Sequence, residues 1–175
     1  LSSLGAYTTL ISGPTKLSDP NVDKVIRVSS ADEMMFECDK ALPVNIAVCA
    51  AAVADYKVMK QSETKIKKNG SRLDITLEEN PDILSRLSKR NDKRPELVIG
   101  FAAETENLEE NSKIKLEKKG CDWILGNNIS NGQVIGKDIN EIHFISKSGT
   151  EKWKQMRKEE VAEKLSHKIV QHLKS

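Results

Sequence analysis

The chain has 175 residues, 38% hydrophobic and 31% charged, enough to bury roughly 70% of the surface its unfolded form exposes, around one core. Its 28 Lys and Arg against 26 Asp and Glu leave a net charge of +2, which excludes a disordered polyelectrolyte and argues against a general nucleic-acid-binding surface. The longest apolar run, Ile46 to Ala54, falls far short of the roughly 20 residues that cross a bilayer, and three cysteines without a Cys-x-x-Cys pair point to a reducing cytoplasm rather than a disulfide framework or zinc site.

Leu1-Ser-Ser-Leu-Gly5 reads as a last helical turn with Gly5 just past its end. With no basic leader and no initiator Met, the chain is expected to begin inside a longer protein. Tyr7 to Ile11 and Val22 to Val28 read as strands. Ser30-Ala-Asp-Glu33 is a capping-box pattern, and Ala31, Met34, Cys38 and Leu42 at near-3.6 spacing predict a helix of about three turns, ended by Pro43. Ile46 to Val53 is continuously apolar, the pattern of a parallel strand covered on both faces, and is expected in the middle of the sheet. From 57 to 72, Lys57, Lys60, Lys65, Lys67, Lys68 and Arg72 meet one acid, Glu63, and Asn69-Gly70 signals a turn, so a mobile basic loop is expected.

Leu73, Ile75 and Leu77 alternate with polar residues as in a strand with one wet face. Asn80-Pro81-Asp82 is a helix start with Asn at the N-cap and Pro at the first helical position, followed by the apolar face Ile83, Leu84 and Leu87. Leu97 to Ala102 is a buried strand. Asn107, Glu109 and Glu110 open a helix that closes on Lys115, Lys118, Lys119 and Gly120, in keeping with the helix dipole. Trp123 to Leu125 is a further strand core, Glu141 to Ser146 alternates with Ile142 and Phe144 on one face, and Lys147-Ser-Gly149 turns the chain. A last helix is expected from Thr150, carrying Trp153, Met156, Val161, Leu165, Ile169 and Leu173. This alternation predicts an α/β, three-layer Rossmann-like domain with a mainly parallel sheet, in which 73–77 and 141–146 are short antiparallel additions. No linker or repeat divides residues 1–175.

In such sheets ligands lie beyond the carboxyl ends of the strands. Ala50-Ala-Ala-Val-Ala-Asp55 offers small residues and then a first charge, although a solvated turn explains Asp55 equally well. Asn80-Pro-Asp-Ile83 presents free helix amides, which ordinary capping also accounts for. At Gly100-Phe-Ala-Ala-Glu-Thr105 the glycine removes a side chain, and Phe101 is either a stacking platform or core. Lys65-Ile-Lys-Lys68 is a movable positive field or a solvated charge run, and Lys115 and Lys119 lie one turn apart on one helix face. No G-x-G or P-loop pattern occurs, no metal-ligand spacing joins His143, His167 and His172, and Cys38, Cys49 and Cys121 read as packing residues.

Taken in order, Ala50-Ala-Ala-Val-Ala-Asp-Tyr56, Lys65-Ile-Lys-Lys68, Asn80-Pro-Asp-Ile-Leu84, Val98-Ile-Gly-Phe-Ala-Ala-Glu-Thr105, and Lys115 with Lys119 ahead of Cys121-Asp122 and Asn127-Asn128 resemble the phosphopantothenoylcysteine synthetase family. The family's members include the synthetase part of bacterial bifunctional coenzyme A biosynthesis flavoproteins. The likeness runs from about Gly5 to the final helix. It implies a ligase in which the carboxylate of 4′-phosphopantothenate attacks the α-phosphate of CTP, with Mg²⁺, to give an acyl-cytidylate and pyrophosphate; the amine of cysteine then displaces CMP. By position it implies that Cys49, Ala50, Ala51 and Asp55 line the nucleotide pocket and that Lys65 is the catalytic electrostatic group. Pro81, Asp82, Ile83, Leu84 and Phe101 would hold base and ribose, and Lys115 and Lys119 would contact phosphates.

The resemblance further implies no resident metal in the protein, FMN only in a separate decarboxylase domain, a cytoplasmic homodimer with contact near 141–146, and neither nucleic-acid nor membrane partners. The family's glycine-rich first strand and turn, carrying an Asn that acts on the acyl intermediate, would lie before Leu1, so residues 1–175 alone are expected to bind nucleotide weakly and turn over poorly or not at all. A non-catalytic nucleotide-binding module of Rossmann-like fold is the alternative. A Rossmann-type dehydrogenase has the missing G-x-G against it, and base preference, CTP or ATP, is left open by the side chains.

Overall fold

The computed structural model describes residues 1–175 except 61, 63, 68, 69, 71, 129–138, 141 and 175. Glu63, Lys68 and Asn69 of the expected basic loop and Glu141 of the expected strand therefore lie outside the described residues.

A 3₁₀ turn at Ser2–Leu4 closes on Gly5, whose φ of 89° is the left-handed conformation expected of a residue just past a helix end. β1 (Thr9–Ser12) and β2 (Lys24–Arg27) pair in parallel. α1 (Ala31–Ala41) starts as its sequence dictates: the Ser30 hydroxyl accepts the Glu33 amide at 3.1 Å, and the Glu33 carboxylate accepts the Ser29 amide at 2.7 Å. These hydrogen bonds to Ser29 hold the Glu33 carboxyl below its ordinary range.

The main sheet has five strands in the order β10-β9-β7-β6-β3. β3 (Ile46–Cys49), β6 (Leu97–Glu104) and β7 (Trp123–Asn128) are parallel, while β9 (Ile142–Ser146) and β10 (Gly149–Lys152) are antiparallel additions. β4 (Tyr56–Val58) and β5 (Leu77–Glu79) form a separate antiparallel hairpin. β8 (Ile139–Asn140) pairs with β11 (Met156–Arg157). α2 (Ile83–Ser88) and α3 (Leu108–Lys119) cover one face of the main sheet and α4 (Lys158–Leu173) the other. The expected α/β fold with a mainly parallel sheet and antiparallel additions is the fold observed.

Side-chain alternation sorts the core into two layers. Leu97, Ile99, Trp123, Leu125, Ile142 and Phe144 pack under Val161, Leu165 and Ile169 of α4, with Trp153 stacked on Phe144 at 5.8 Å between ring centroids. Val98, Ala102, Ile124 and Ile145 face Leu84 of α2 and Leu116 of α3. Each fully buried aliphatic side chain here contributes about 1.5–3 kcal/mol relative to exposure. A third cluster joins β1, β2, α1 and α2 through Val28, Met34, Met35, Ile83 and Leu87.

Below the sheet, Arg94 works as a fork. It donates to the carbonyls of Ser88 at 2.7 Å and Pro95 at 2.9 Å and to both carboxylate oxygens of Asp122 at 3.0 Å, and Asp122 in turn accepts the Val98 amide at 2.7 Å.

Four expectations are corrected. β3 is not the middle of the sheet but its edge among the described residues: the run after Cys49 is mostly alanine, which offers little to bury, and Val48 stays 39% exposed, while β6 takes the centre. Leu73, Ile75 and Leu77 have no buried face; all three are more than half exposed, because the hairpin stands apart from the sheet. α2 is capped by Asp82, whose carboxylate accepts the Ser85 amide at 3.0 Å, rather than by Asn80. The last helix starts at Lys158, not Thr150. Residues 149–152 pair with β9 instead, and Trp153 and Met156 lie outside the helix, at whose start the Glu160 carboxylate accepts the Arg157 amide at 2.7 Å. β9 is paired on both edges and buried from Ile142 to Ile145. Among the described residues no helix is long and apolar enough to cross a membrane.

Candidate active site

β6 and β7 stay paired to their ends at Glu104 and Asn128, whereas β3 stops at Cys49, opposite Gly100. The step this leaves at the carboxyl edge is the place where α/β sheets bind ligands. The connection that follows β3 crosses this edge. Ala50, Ala51, Ala54 and Asp55 are exposed, and Val53 tucks back against the third cluster. Asn80 pins the far end of this connection: its backbone amide donates to the Asp55 carbonyl at 2.8 Å and its side-chain amide to the Ala54 carbonyl at 2.9 Å.

Two residues further on, Asp82 both caps α2 and pairs with the ammonium of Lys119 on α3. Partial burial pushes the Asp82 carboxyl up, but the hydrogen bonds from Lys119 and the Ser85 amide, with the charges of Lys119 and Lys89, outweigh it and hold the group below its ordinary range. Lys115, one turn earlier on α3, is half-buried. Lys65 is exposed in the connection between β4 and β5 and has no ion pair among the described residues. The hairpin that carries it is tied to α1, because Lys57 pairs with Asp32 and lies 3.7 Å from Glu78; the hydrogen bond to Asp32 chiefly raises the pKa of Lys57.

Residues 1–173 match the family model for the DNA/pantothenate metabolism flavoprotein C-terminal domain. The chain belongs to this family. It is 39% identical over 168 residues to the coenzyme A biosynthesis bifunctional protein CoaBC of Haemophilus influenzae, covering 95% of this chain and 42% of that protein. The CoaBC protein of Escherichia coli K12 is 37% identical over 171 residues, with 95% and 42% covered. A crystal structure of the C-terminal domain of a CoaBC protein superposes with a TM-score of 0.79 at 31% identity, covering 99% of this chain and 78% of that one. The chain thus spans about two fifths of the length of the curated relatives it matches.

Within this flavoprotein C-terminal domain the expected site residues divide. Asn80 ties Asp55 to the segment that runs on into Pro81 and Asp82, Lys119 joins them through Asp82, and Ala50 and Ala51 lie exposed earlier on the same connection. Ile83 and Leu84 are core side chains, so only their backbone is on offer to a ligand. Cys49 likewise packs inward; burial pushes its thiol up to about 12, which leaves a protonated, inert group. Phe101 points to the α4 face of β6, opposite α2, so its ring and the α2 start meet a common ligand only across the strand ends. Gly100 does not open space for a ligand. A Cβ there would stand 2.5 Å from Leu84 and 2.8 Å from Ile124, so the glycine admits the α2 layer.

Two residues have roles that the sequence does not show. Asn80 reads as a cap because the carbonyls it holds are 25 and 26 positions away in sequence, and Lys57 reads as one more loop charge because its partner lies on α1. No three His, Cys, Asp or Glu side chains converge on a metal-sized site among the described residues. A shallow groove of about 580 Å³ runs along α4 and β10, remote from the strand ends. Both of its lysines are engaged by Glu151, which accepts from Lys168 at 2.8 Å and lies 3.7 Å from Lys164, so the strand ends are the better candidate.

Proposed function

We propose that this chain is the ligase part of a coenzyme A biosynthesis protein, joining 4′-phosphopantothenate to cysteine through an acyl-cytidylate made from CTP. The observation that carries the reading is its likeness, over 95% of its length, to bifunctional coenzyme A biosynthesis proteins. A strand-end site flanked by lysines supports it.

A carboxylate is a poor acyl donor, so its oxygen attacks the α-phosphorus and pyrophosphate leaves with the electron pair of the broken P–O bond. The cysteine nitrogen then attacks the acyl carbon, loses a proton, and CMP departs with the electron pair of the C–O bond. No electron is transferred to an acceptor, so no step needs flavin. The backbone from Pro81 to Leu84, with Ala50, Ala51 and Asp55, holds the base and ribose against the sheet edge, and Phe101 packs from the other face. Lys115 and Lys119 bind phosphate oxygens, with the incoming triphosphate competing against Asp82 for the Lys119 ammonium. Lys65, on the exposed connection of the hairpin, approaches the α-phosphate and stabilises charge as it shifts to pyrophosphate. Mg²⁺ arrives on the triphosphate. The acting form is a homodimer in the cytoplasm, and a light-scattering mass of one chain would exclude the dimer.

The test is Lys65→Gln in the native protein. Acyl-cytidylate formation is expected to fall by roughly 10²–10³ while CTP binding stays within a few-fold. Unchanged turnover, or a wild-type protein that binds CTP and never forms the intermediate, would favour a binding module instead.

A further inference from the structure

We infer that Asn80 is a positioning residue of the nucleotide site, acting through the backbone of residues 50–55 rather than by touching the ligand. The inference rests on the ligase reading above. The stretch from Ala50 to Ala54 has no long side chain except Val53, so it has little to hold it by packing, and Ala50, Ala51, Ala54 and Asp55 are exposed. Its far end is held by Asn80, which donates its main-chain amide to Asp55 and its side-chain amide to Ala54.

The geometry explains why asparagine serves there. The ladder of β4 and β5 ends with Tyr56 opposite Glu79. Asn80 N–H to Asp55 adds one more rung. Pro81 follows and has no N–H to give, so the side-chain amide of Asn80 supplies the next donor, aimed at Ala54. A carboxylate of the same shape cannot do this, since it only accepts.

The consequence reaches both walls of the site. On one side Asn80 fixes the connection bearing Ala50, Ala51 and Asp55. On the other it leads through Pro81 into Asp82, which caps α2 and holds Lys119. The side chain of Asn80 therefore sets the width between the strand-end connection and the start of α2, and a nucleotide lying between them reads that width.

Asn80→Ala and the isosteric Asn80→Asp, made in the native protein, test the inference. Loss of one such hydrogen bond is expected to raise KM for CTP about tenfold, with more for Asn80→Asp because its carboxylate meets the Ala54 carbonyl with no proton to donate. KM for cysteine and kcat should stay within about twofold. Amide exchange should quicken between residues 51 and 58 and remain unchanged in β6 and β7. A merely structural asparagine would lower the thermal midpoint and move all kinetic constants together, and that result, or an unchanged KM for CTP in both variants, overturns the inference. Should Asn80→Ala fail to fold, Asn80→Asp carries the same readouts. A wild-type protein that forms no acyl-cytidylate would instead sink the ligase reading, while the exchange pattern would still report on the tether.

Discussion

The sheet centre and the strand-end connection are built by opposite means. β6, β7 and β9 bury Leu97, Ile99, Ile124, Leu125, Ile142 and Ile145 completely or nearly so between two helical layers, and their stability is the sum of many apolar contacts that tolerate no gaps. The 50–55 connection and the hairpin beyond it carry exposed alanines and more than half-exposed Leu73, Ile75 and Leu77, and depend on a few polar tethers from Asn80 and Lys57. The difference shows where this fold can alter its chemistry without risking its stability. Changes at the tethers are read as binding, and changes in the sheet are read as unfolding.

The largest break in this contrast comes from the core. Leu125→Ala should cost about 3 kcal/mol and lower the thermal midpoint by roughly 10 °C, whereas Leu73→Ser should leave the midpoint of the sheet within about 0.5 kcal/mol; calorimetry on both variants decides. Next comes Gly100→Ala, which forces a methyl against Leu84 and Ile124 and should cost about 1–3 kcal/mol in denaturant titrations. An unchanged midpoint would mean that α2 slides freely on the sheet.

Asp82→Ala is smaller and sharpens the comparison, because Asp82 belongs to both regions. Loss of the cap should cost about 1 kcal/mol at pH 7. Since the folded carboxyl titrates below its ordinary value, its stabilisation is fully present above the unfolded pKa of about 3.9 and is lost as pH falls through the folded one. The gap between wild type and Asp82→Ala should therefore narrow in acid, and a gap that stays constant down to pH 3 would show that the Asp82 charge gains nothing from Lys119 and the Ser85 amide. The smallest expected signal is chemical. Burial raises the thiols of Cys38 and Cys121 to about 11 and that of Cys49 to about 12, so at pH 8 on the order of one in a thousand or fewer is thiolate. Iodoacetamide should label the three only in denaturant, and rapid native labelling of Cys49 would place it at a more open edge than its packing indicates.

Elements governed by nearby residues were legible in the sequence. The Ser30 cap, the Gly120 close of α3 and the buried run of β6 follow from short-range chemistry and appear where their patterns place them. What escaped was decided by distant partners. Residues 149–152 look like the first turn of a helix until β9 pairs with them, and Asn80 looks like a cap until Ala54 claims its amide. At the candidate site motif order named residues, but it could not give the faces on which they lie. That Phe101 lies across the strand from α2, and that Asp82 engages Lys119 at a separation of 37 positions, depends on the packed sheet.

The Arg94 fork has a consequence for how the molecule comes apart. A single guanidinium ties the exit of α2, the entry to β6 and the entry to β7, so none of these segments can peel away while the other two stay in place. They should exchange their amide protons as one cooperative unit, and a lysine there, with its charge intact but without the planar spread of donors, would leave three separately fraying ends.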